Sequence, residues 1–125
     1  MPTINGMERN LTSGESAIVK WMVQHSAKPG ESIAHLAPLV GRLHVVGNCK
    51  CGCPSIDFKE KGTAQPWTPI GDARGISLEG LIVGVLLWGN DKEITGLEVY
   101  SETGEKTFLM PTPDKMKTWD QRDEA

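Results

Sequence analysis

The first third of the chain has apolar residues at a spacing of three and four, which predicts two amphipathic helices. Thr12 and Glu15 have the spacing of a capping box, in which a hydroxyl and a carboxylate satisfy the first backbone amides of a helix. The apolar stripe that follows consists of Ile18, Val19, Met22 and Val23. A second stripe consists of Ile33, Leu36, Ala37 and Val40. Pro38 lies inside this second stripe, where its missing amide hydrogen predicts a break or a tight turn.

From residue 43 onward the spacing changes from helical to alternating, which predicts antiparallel strands. The run 81–88 (LIVGVLLW) is almost wholly apolar and predicts a central, buried strand with Trp88 in the core. Residues 93–101 form an alternating strand, and turn residues at 89–92 and 102–105 predict hairpins on either side of it. The sequence therefore predicts an α+β fold, with two N-terminal helices packed on an antiparallel sheet of four to five strands. We expect a meander with one long loop.

The long loop is predicted over residues 60–78, where glycine and proline recur and where Trp67 and Ile70 are the bulky apolar side chains. Long ordered loops in compact domains are often functional. A chain of 125 residues fits one domain. We predict a flexible arm over 1–10, a single α+β domain over 11–113 and a charged C-terminal tail over 114–125.

Composition indicates which classes of partner the protein does not bind and in which compartment it is located. The formal net charge of −3 gives no broad basic surface, so we predict that the protein does not bind nucleic acid. A membrane span needs about 20 apolar residues, which no run reaches, so we predict no membrane partner. The first residues show no signal-peptide pattern, and three cysteines are an odd number for a disulfide framework. These features predict a cytoplasmic protein with free thiols.

The stretch 48–58 (NCKCGCPSIDF) holds all three cysteines at alternate positions. Gly52 and Pro54 predict a bend, at which the apolar phase of the strand shifts by one residue. We interpret Cys49 and Cys51 as small apolar side chains on the packed face of a strand, reduced and metal-free. Cys53 is expected at the bend, with a more exposed side chain.

Two alternatives for the cysteines are left open by the sequence. Cys49, Cys51 and Cys53 with His44 would supply the four ligands of a structural zinc ion, if the bend brings them together. Neighbours on one face of a straight strand lie about 6.6 Å apart, which is too far for three of them to share an ion. The other alternative is a thiol enzyme, with His25 or His44 as the base that activates a cysteine.

Catalysis by other routes has little support in the sequence. There is no phosphate-binding loop, serine-hydrolase elbow or metalloprotease motif, so we predict a non-enzymatic protein without a cofactor. Asp57 and Glu98 are carboxylates on neighbouring predicted strands, which is the arrangement of an acid–base pair. Charged residues at alternate strand positions are more often the solvated face of a sheet.

Large aromatic side chains outside the helices favour a binding function instead. The residues predicted to contact a partner are Trp67, Ile70, Tyr100 and Trp119, because apolar and aromatic side chains among loops and polar residues often anchor a partner. The alternative is that the tryptophans fold back over the sheet edge. We predict a monomer or small homo-oligomer that binds another protein and neutralises it, as immunity proteins and phage inhibitors of host enzymes do.

Two segments also resemble a known group of sequences. Residues 45–58 (VVGNCKCGCPSIDF) and 97–101 (LEVYS) resemble small uncharacterised bacterial proteins that share a VVGxCxCGCPSIDF core and a later LEVYS strand. The resemblance covers about a third of the chain. It implies a bacterial domain, and it carries no activity, cofactor or partner.

Overall fold

The computed structural model describes residues 8–28, 30–48, 52–59, 68–105 and 107–118. Among them lie one α-helix, two 3-10 helices and seven strands, which form a five-stranded and a two-stranded sheet, both antiparallel. The predicted α+β class with an antiparallel sheet is confirmed. The elements in chain order are β1 Arg9–Asn10, α1 Ser13–His25, a 3-10 helix Ala34–Arg42, β2 His44–Val45, β3 Gly47–Asn48, β4 Ile56–Asp57, β5 Thr68–Ile76, β6 Ile82–Gly89, β7 Ile94–Ser101 and a 3-10 helix Pro113–Lys115.

Helix α1 begins at the predicted capping box. The Glu15 amide donates to Thr12 Oγ1 at 3.1 Å, and the Thr12 amide donates to Glu15 Oε1 at 2.9 Å. Arg9 adds two hydrogen bonds to the same carboxylate, at 2.8 and 2.9 Å. Burial favours the neutral form of Glu15, but the hydrogen bonds from Arg9 and Thr12 outweigh it, so the pKa of Glu15 lies below its ordinary value. The cap is therefore anionic at neutral pH.

Replacing Thr12 tests how much the capping box contributes to the stability of the fold. We expect Thr12→Ala to lower the free energy of unfolding by about 1 kcal/mol, because the Glu15 amide loses its acceptor. Urea unfolding followed by circular dichroism measures this loss. Ser13→Ala, one residue further on, is the matched control and should leave stability almost unchanged. An equal loss in both variants would contradict the role of the cap.

The second predicted helix forms as a 3-10 helix. Ile33, Leu36 and Val40 are buried as the spacing predicted, whereas Ala37 is exposed. Pro38 lies inside the element. Because proline cannot donate the amide hydrogen of a regular α-helix, the predicted break takes the form of a tighter helix along the whole segment.

The five-stranded sheet has the order β3-β4-β7-β6-β5. Strands β5, β6 and β7 form consecutive hairpins and so make a meander. Strand β4 pairs with β7 instead of β5. Between β4 and β5 the chain therefore crosses towards the opposite edge of the sheet. This is the strand order of a Greek key.

Strand β5 occupies part of the segment that the sequence predicted as a loop. The prediction of a loop over 60–78 is wrong for residues 68–76, and residues 60–67 lie outside the described part. The inward positions of β5 are Gly71, Ala73 and Gly75, all buried. A Cβ on Gly71 would lie 2.1 Å from Ser26 Oγ, and a Cβ on Gly75 would lie 2.7 Å from Met116 Sδ. The small residues let α1 and the C-terminal segment approach the strand closely.

Described residues near both predicted ends of the domain contact the folded body. Arg9 and Asn10, expected in the arm over 1–10, pair with Val45 and His44. Met116, expected in the tail over 114–125, is buried in the core. Its neighbour Lys117 exchanges two backbone hydrogen bonds with Arg74 of β5, at 3.0 and 2.8 Å. These contacts tie both segments to the folded body.

One cluster of buried side chains joins the helices to one face of the sheet. It contains the apolar stripe of α1, the buried residues of the longer 3-10 helix and buried residues of the strands. The members on the three long strands are Ala73, Val83, Val85, Leu87, Ile94, Leu97 and Val99, all odd-numbered except Ile94. The helical elements and the inward positions of the long strands therefore share one core. Within the described ranges, no helix is long and apolar enough to cross a membrane.

Candidate functional site

The opposite side of the sheet, which we call the outer face, carries the even-numbered residues of the three long strands from Asp72 onward, except Ile94, which lies beyond a register shift and is buried in the core. Strand pairing places them in rows, because residues directly opposite each other point to the same side. One row is Asp72–Leu86–Glu98, and the next is Arg74–Gly84–Tyr100. In a third row, Trp88 lies opposite Gly96, which in turn lies opposite Asp57 of β4.

An apolar strip runs along β6 at the centre of the outer face. Ile82 is 41% exposed, and Leu86 and Trp88 are half-buried. Tyr100 completes the strip, because its ring lies across Gly84: a Cβ on Gly84 would be 2.2 Å from Tyr100 Cζ. The ring itself remains 38% exposed. We call these four side chains the apolar strip.

Carboxylates border the apolar strip on its β7 side. Glu98 accepts a hydrogen bond from Trp88 Nε1 at 3.1 Å, which joins the carboxylate to the indole. Asp57 is the diagonal neighbour of Glu98, and such pairs lie about 7–8 Å apart. Partial burial, and then the negative charges of Asp72, Glu102 and Glu98, raise the pKa of Tyr100. The phenol therefore stays protonated at neutral pH.

The β5 side of the apolar strip has mixed charge. Asp72 lies opposite Leu86, and Arg74 lies opposite Gly84. Lys117 pairs with Arg74 beyond the strand, which places its side chain in the same row. Acidic and basic groups therefore alternate on this side of the strip, whereas the β7 side carries acidic groups.

The predicted contact residues are only partly brought together. Tyr100 lies in the apolar strip. Ile70 is half-buried at the irregularity between Pro69 and Gly71, and it packs against the core cluster instead. Trp67 and Trp119 lie outside the described residues.

Three members of the apolar strip were missed by the sequence reasoning. Trp88 was predicted in the core, and Ile82 and Leu86 were not singled out. Their run is apolar at nearly every position, so it gives no alternation from which the two faces can be told apart. The neighbouring strand β7 does indicate which face of the sheet is exposed, because Glu98 and Tyr100 alternate there with buried residues.

A concave region, separate from the outer face, surrounds Cys53. It is a groove of ≈ 320 Å³ between the start of α1 and residues 108–110, with Arg9 and Glu15 among its lining residues. The Cys53 thiol donates to Ser55 Oγ at 3.4 Å. Ser55 Oγ in turn accepts from the Val99 amide at 2.8 Å and donates to the Val99 carbonyl at 3.1 Å. The thiol is thus engaged in a network that fastens the segment before β4 to β7.

The bend that was predicted next to Cys53 is present. Gly52 has a φ of +100°, a conformation that favours glycine. Cys53 is half-buried, and Cys49 and Cys51 lie outside the described residues, so their comparison with Cys53 stays a prediction. His44 is exposed on β2. Within the described ranges, no three His, Cys, Asp or Glu side chains are grouped so as to hold a metal ion.

The two regions differ in what they offer a ligand. The polar groups of the groove hydrogen-bond to one another, as the Arg9–Glu15 pair and the Cys53–Ser55 contact show. The outer face offers aromatic and aliphatic surface beside fixed carboxylates, which is the composition of a protein-binding surface. Comparison of the chain with protein-family models, with curated proteins and with solved structures gives no match.

Proposed function

We propose that this chain is a non-enzymatic, cytosolic binding protein that captures another protein on its outer face and neutralises it, in the manner of an immunity or inhibitor protein. The observation that supports this best is the apolar strip. Four large side chains lie together on the side of the sheet that faces away from the core. Covering apolar surface of this kind is the main favourable contribution to protein association.

The strip is also organised before a partner binds. The Tyr100 ring is supported from below by Gly84, and the Trp88 indole is held by Glu98. Aromatic side chains that are already fixed lose little conformational entropy on binding, so more of the contact energy remains as affinity. Tyrosine and tryptophan are also the residue types that most often dominate binding energy in interfaces.

The size of the face indicates that the contact extends beyond it. Eight residues of β6 span about 26 Å, and three strands span about 14 Å, which gives roughly 370 Å². A stable interface covers about 800 Å² on each partner. We therefore keep Trp67 and Trp119 as proposed additional contacts, alongside the apolar strip.

A charge placed in the strip tests this function. We expect Ile82→Arg to abolish capture of the partner in a pull-down from the native host, because the guanidinium would have to be desolvated against apolar surface. Leu78→Arg is the matched control: Leu78 is 63% exposed in the turn between β5 and β6 and does not belong to the strip. This variant should capture the same protein as the wild type.

Both variants should melt close to the wild-type temperature, because both positions are exposed. If Ile82→Arg still captures the protein that the wild type captures, the outer face is not the binding surface. If both variants lose it equally, the loss reflects added positive charge and the proposal also fails.

A further inference from the structure

We infer, on the basis of the proposed function, that the captured partner is basic, and that it places lysine or arginine side chains against the carboxylates on the β7 side of the apolar strip. The occupant of the face is then a segment in which cationic and apolar side chains both face this protein. The charges of the described residues and their positions in the strand rows lead to this conclusion.

The β7 side of the strip holds two carboxylates on which the inference rests. Glu98 lies in the same row as Leu86, and Glu102 follows at the end of the strand. Lys59, which comes two residues after Asp57, is already paired with Glu93 at 2.8 Å. The described bases of the outer face, Arg74 and Lys117, lie two strands away, on the β5 side. Among the described residues, those on the β7 side of the strip therefore carry net negative charge.

Partial burial, and then the negative charges of Asp72, Glu102 and Glu98, raise the pKa of Tyr100, which agrees with the position of these carboxylates around the ring. A cation from a partner would be attracted by these carboxylates, which lowers the free energy of the complex. A phosphate-rich surface, such as a nucleic acid or an acidic membrane, would be repelled by them. A basic protein segment is the class of partner that fits both the apolar strip and its border.

The chemistry of lysine and arginine suits the geometry of this border. Their aliphatic stems cover apolar surface while the charged ends reach outward, so a stem can lie on Leu86 while its cation reaches Glu98. A cation in that position also lies close to Trp88, whose Nε1 bonds to Glu98, and the face of an aromatic ring attracts positive charge. Glu98 is held in place by the Trp88 indole, so a charge-assisted hydrogen bond to it needs little reordering.

Two synthetic peptides provide a direct test, using the full chain labelled with ¹⁵N. One is a seven-residue peptide of alternating lysine and leucine, and the other has glutamate in place of each lysine. Both have blocked ends and are used below the concentration at which they self-associate. We expect the lysine peptide to shift the amide resonances of residues 84–88 and 96–102, and the glutamate peptide to leave them unchanged.

A charge-neutralised variant identifies the groups responsible. The double substitution Glu98→Gln with Glu102→Gln should weaken binding of the lysine peptide about tenfold, as the loss of two exposed charge contacts would do. The matched control is Glu8→Gln with Glu31→Gln, which removes the same net charge from two exposed positions outside the long strands. This control should bind as the wild type does.

Several outcomes would overturn the inference. Equal binding of both peptides, shifts confined to residues other than the outer face, or an equal loss in the two double variants would each do so. A dimer in sedimentation that Ile82→Arg dissociates would show that a second copy occupies the face instead. If the native partner is lost with Ile82→Arg but not with the Glu98 and Glu102 substitutions, the proposed function stands and the basic partner is excluded.

Discussion

Leu87→Ala is expected to lower the free energy of unfolding by about 2–5 kcal/mol, whereas Leu86→Ala, one residue away, should lower it by only about 1 kcal/mol. Leu87 is fully buried in the central strand and packs in the core cluster, so its removal leaves a cavity. Leu86 points to the outer face and is half-buried, so it has less transfer free energy to lose. Urea unfolding of both variants gives the two values.

The same pair should show the opposite order in partner capture. Leu86→Ala removes part of the apolar strip and should weaken capture, while Leu87→Ala should bind normally at temperatures where it remains folded. This reversal separates the effect on binding from the effect on stability. Equal stability losses in the two variants would show that the two faces of β6 have been assigned wrongly.

Gly84→Ala is expected to lower the free energy of unfolding by about 1–3 kcal/mol and to abolish partner capture. The new methyl group would occupy the space of the Tyr100 ring, which must swing away from the sheet. The Tyr100→Ala variant removes the ring with which the new methyl group would collide. In that background, Gly84→Ala should be neutral or stabilising by about 0.5–1 kcal/mol, because alanine loses less backbone entropy than glycine in a strand.

A double-mutant cycle over Gly84 and Tyr100 measures this coupling. We expect an interaction free energy of at least about 1 kcal/mol, as found for residues in direct contact. Additive effects would mean that the ring does not lie on Gly84. The apolar strip would then lose its central member, and the outer face would be a weaker candidate for binding.

Local sequence patterns predicted some elements well, because residues close together in the sequence determine each of them. The start of α1 follows from Thr12 and Glu15, whose side chains satisfy the first amides whatever the rest of the chain does. The buried side of the first helix follows from its apolar spacing. The turn at residue 52 follows from a glycine that adopts a positive φ.

Other elements depend on contacts that are distant in sequence, so local patterns could not reveal them. The inward residues of β5 are glycine and alanine, which carry no hydrophobic signal, and they are small because Ser26 and Met116 lie against them. The outward residues of β6 could not be identified from the β6 sequence alone, because β6 is apolar on both sides. Only the pairing of β6 with both β5 and β7 shows that Leu86 lies between Asp72 and Glu98.

The contacts that cover β5 determine how this sheet can meet other chains. Backbone groups of Asp72 and Arg74 on the outside of β5 are already bonded to Ser26 and Lys117. At the other end of the sheet, β3 contributes only two residues. Among the described residues, neither border offers a long row of open backbone groups, which disfavours the strand-by-strand growth that leads to fibrils. Lys117 is part of this protection, because without it the amide and carbonyl groups of Arg74 would be open to another strand.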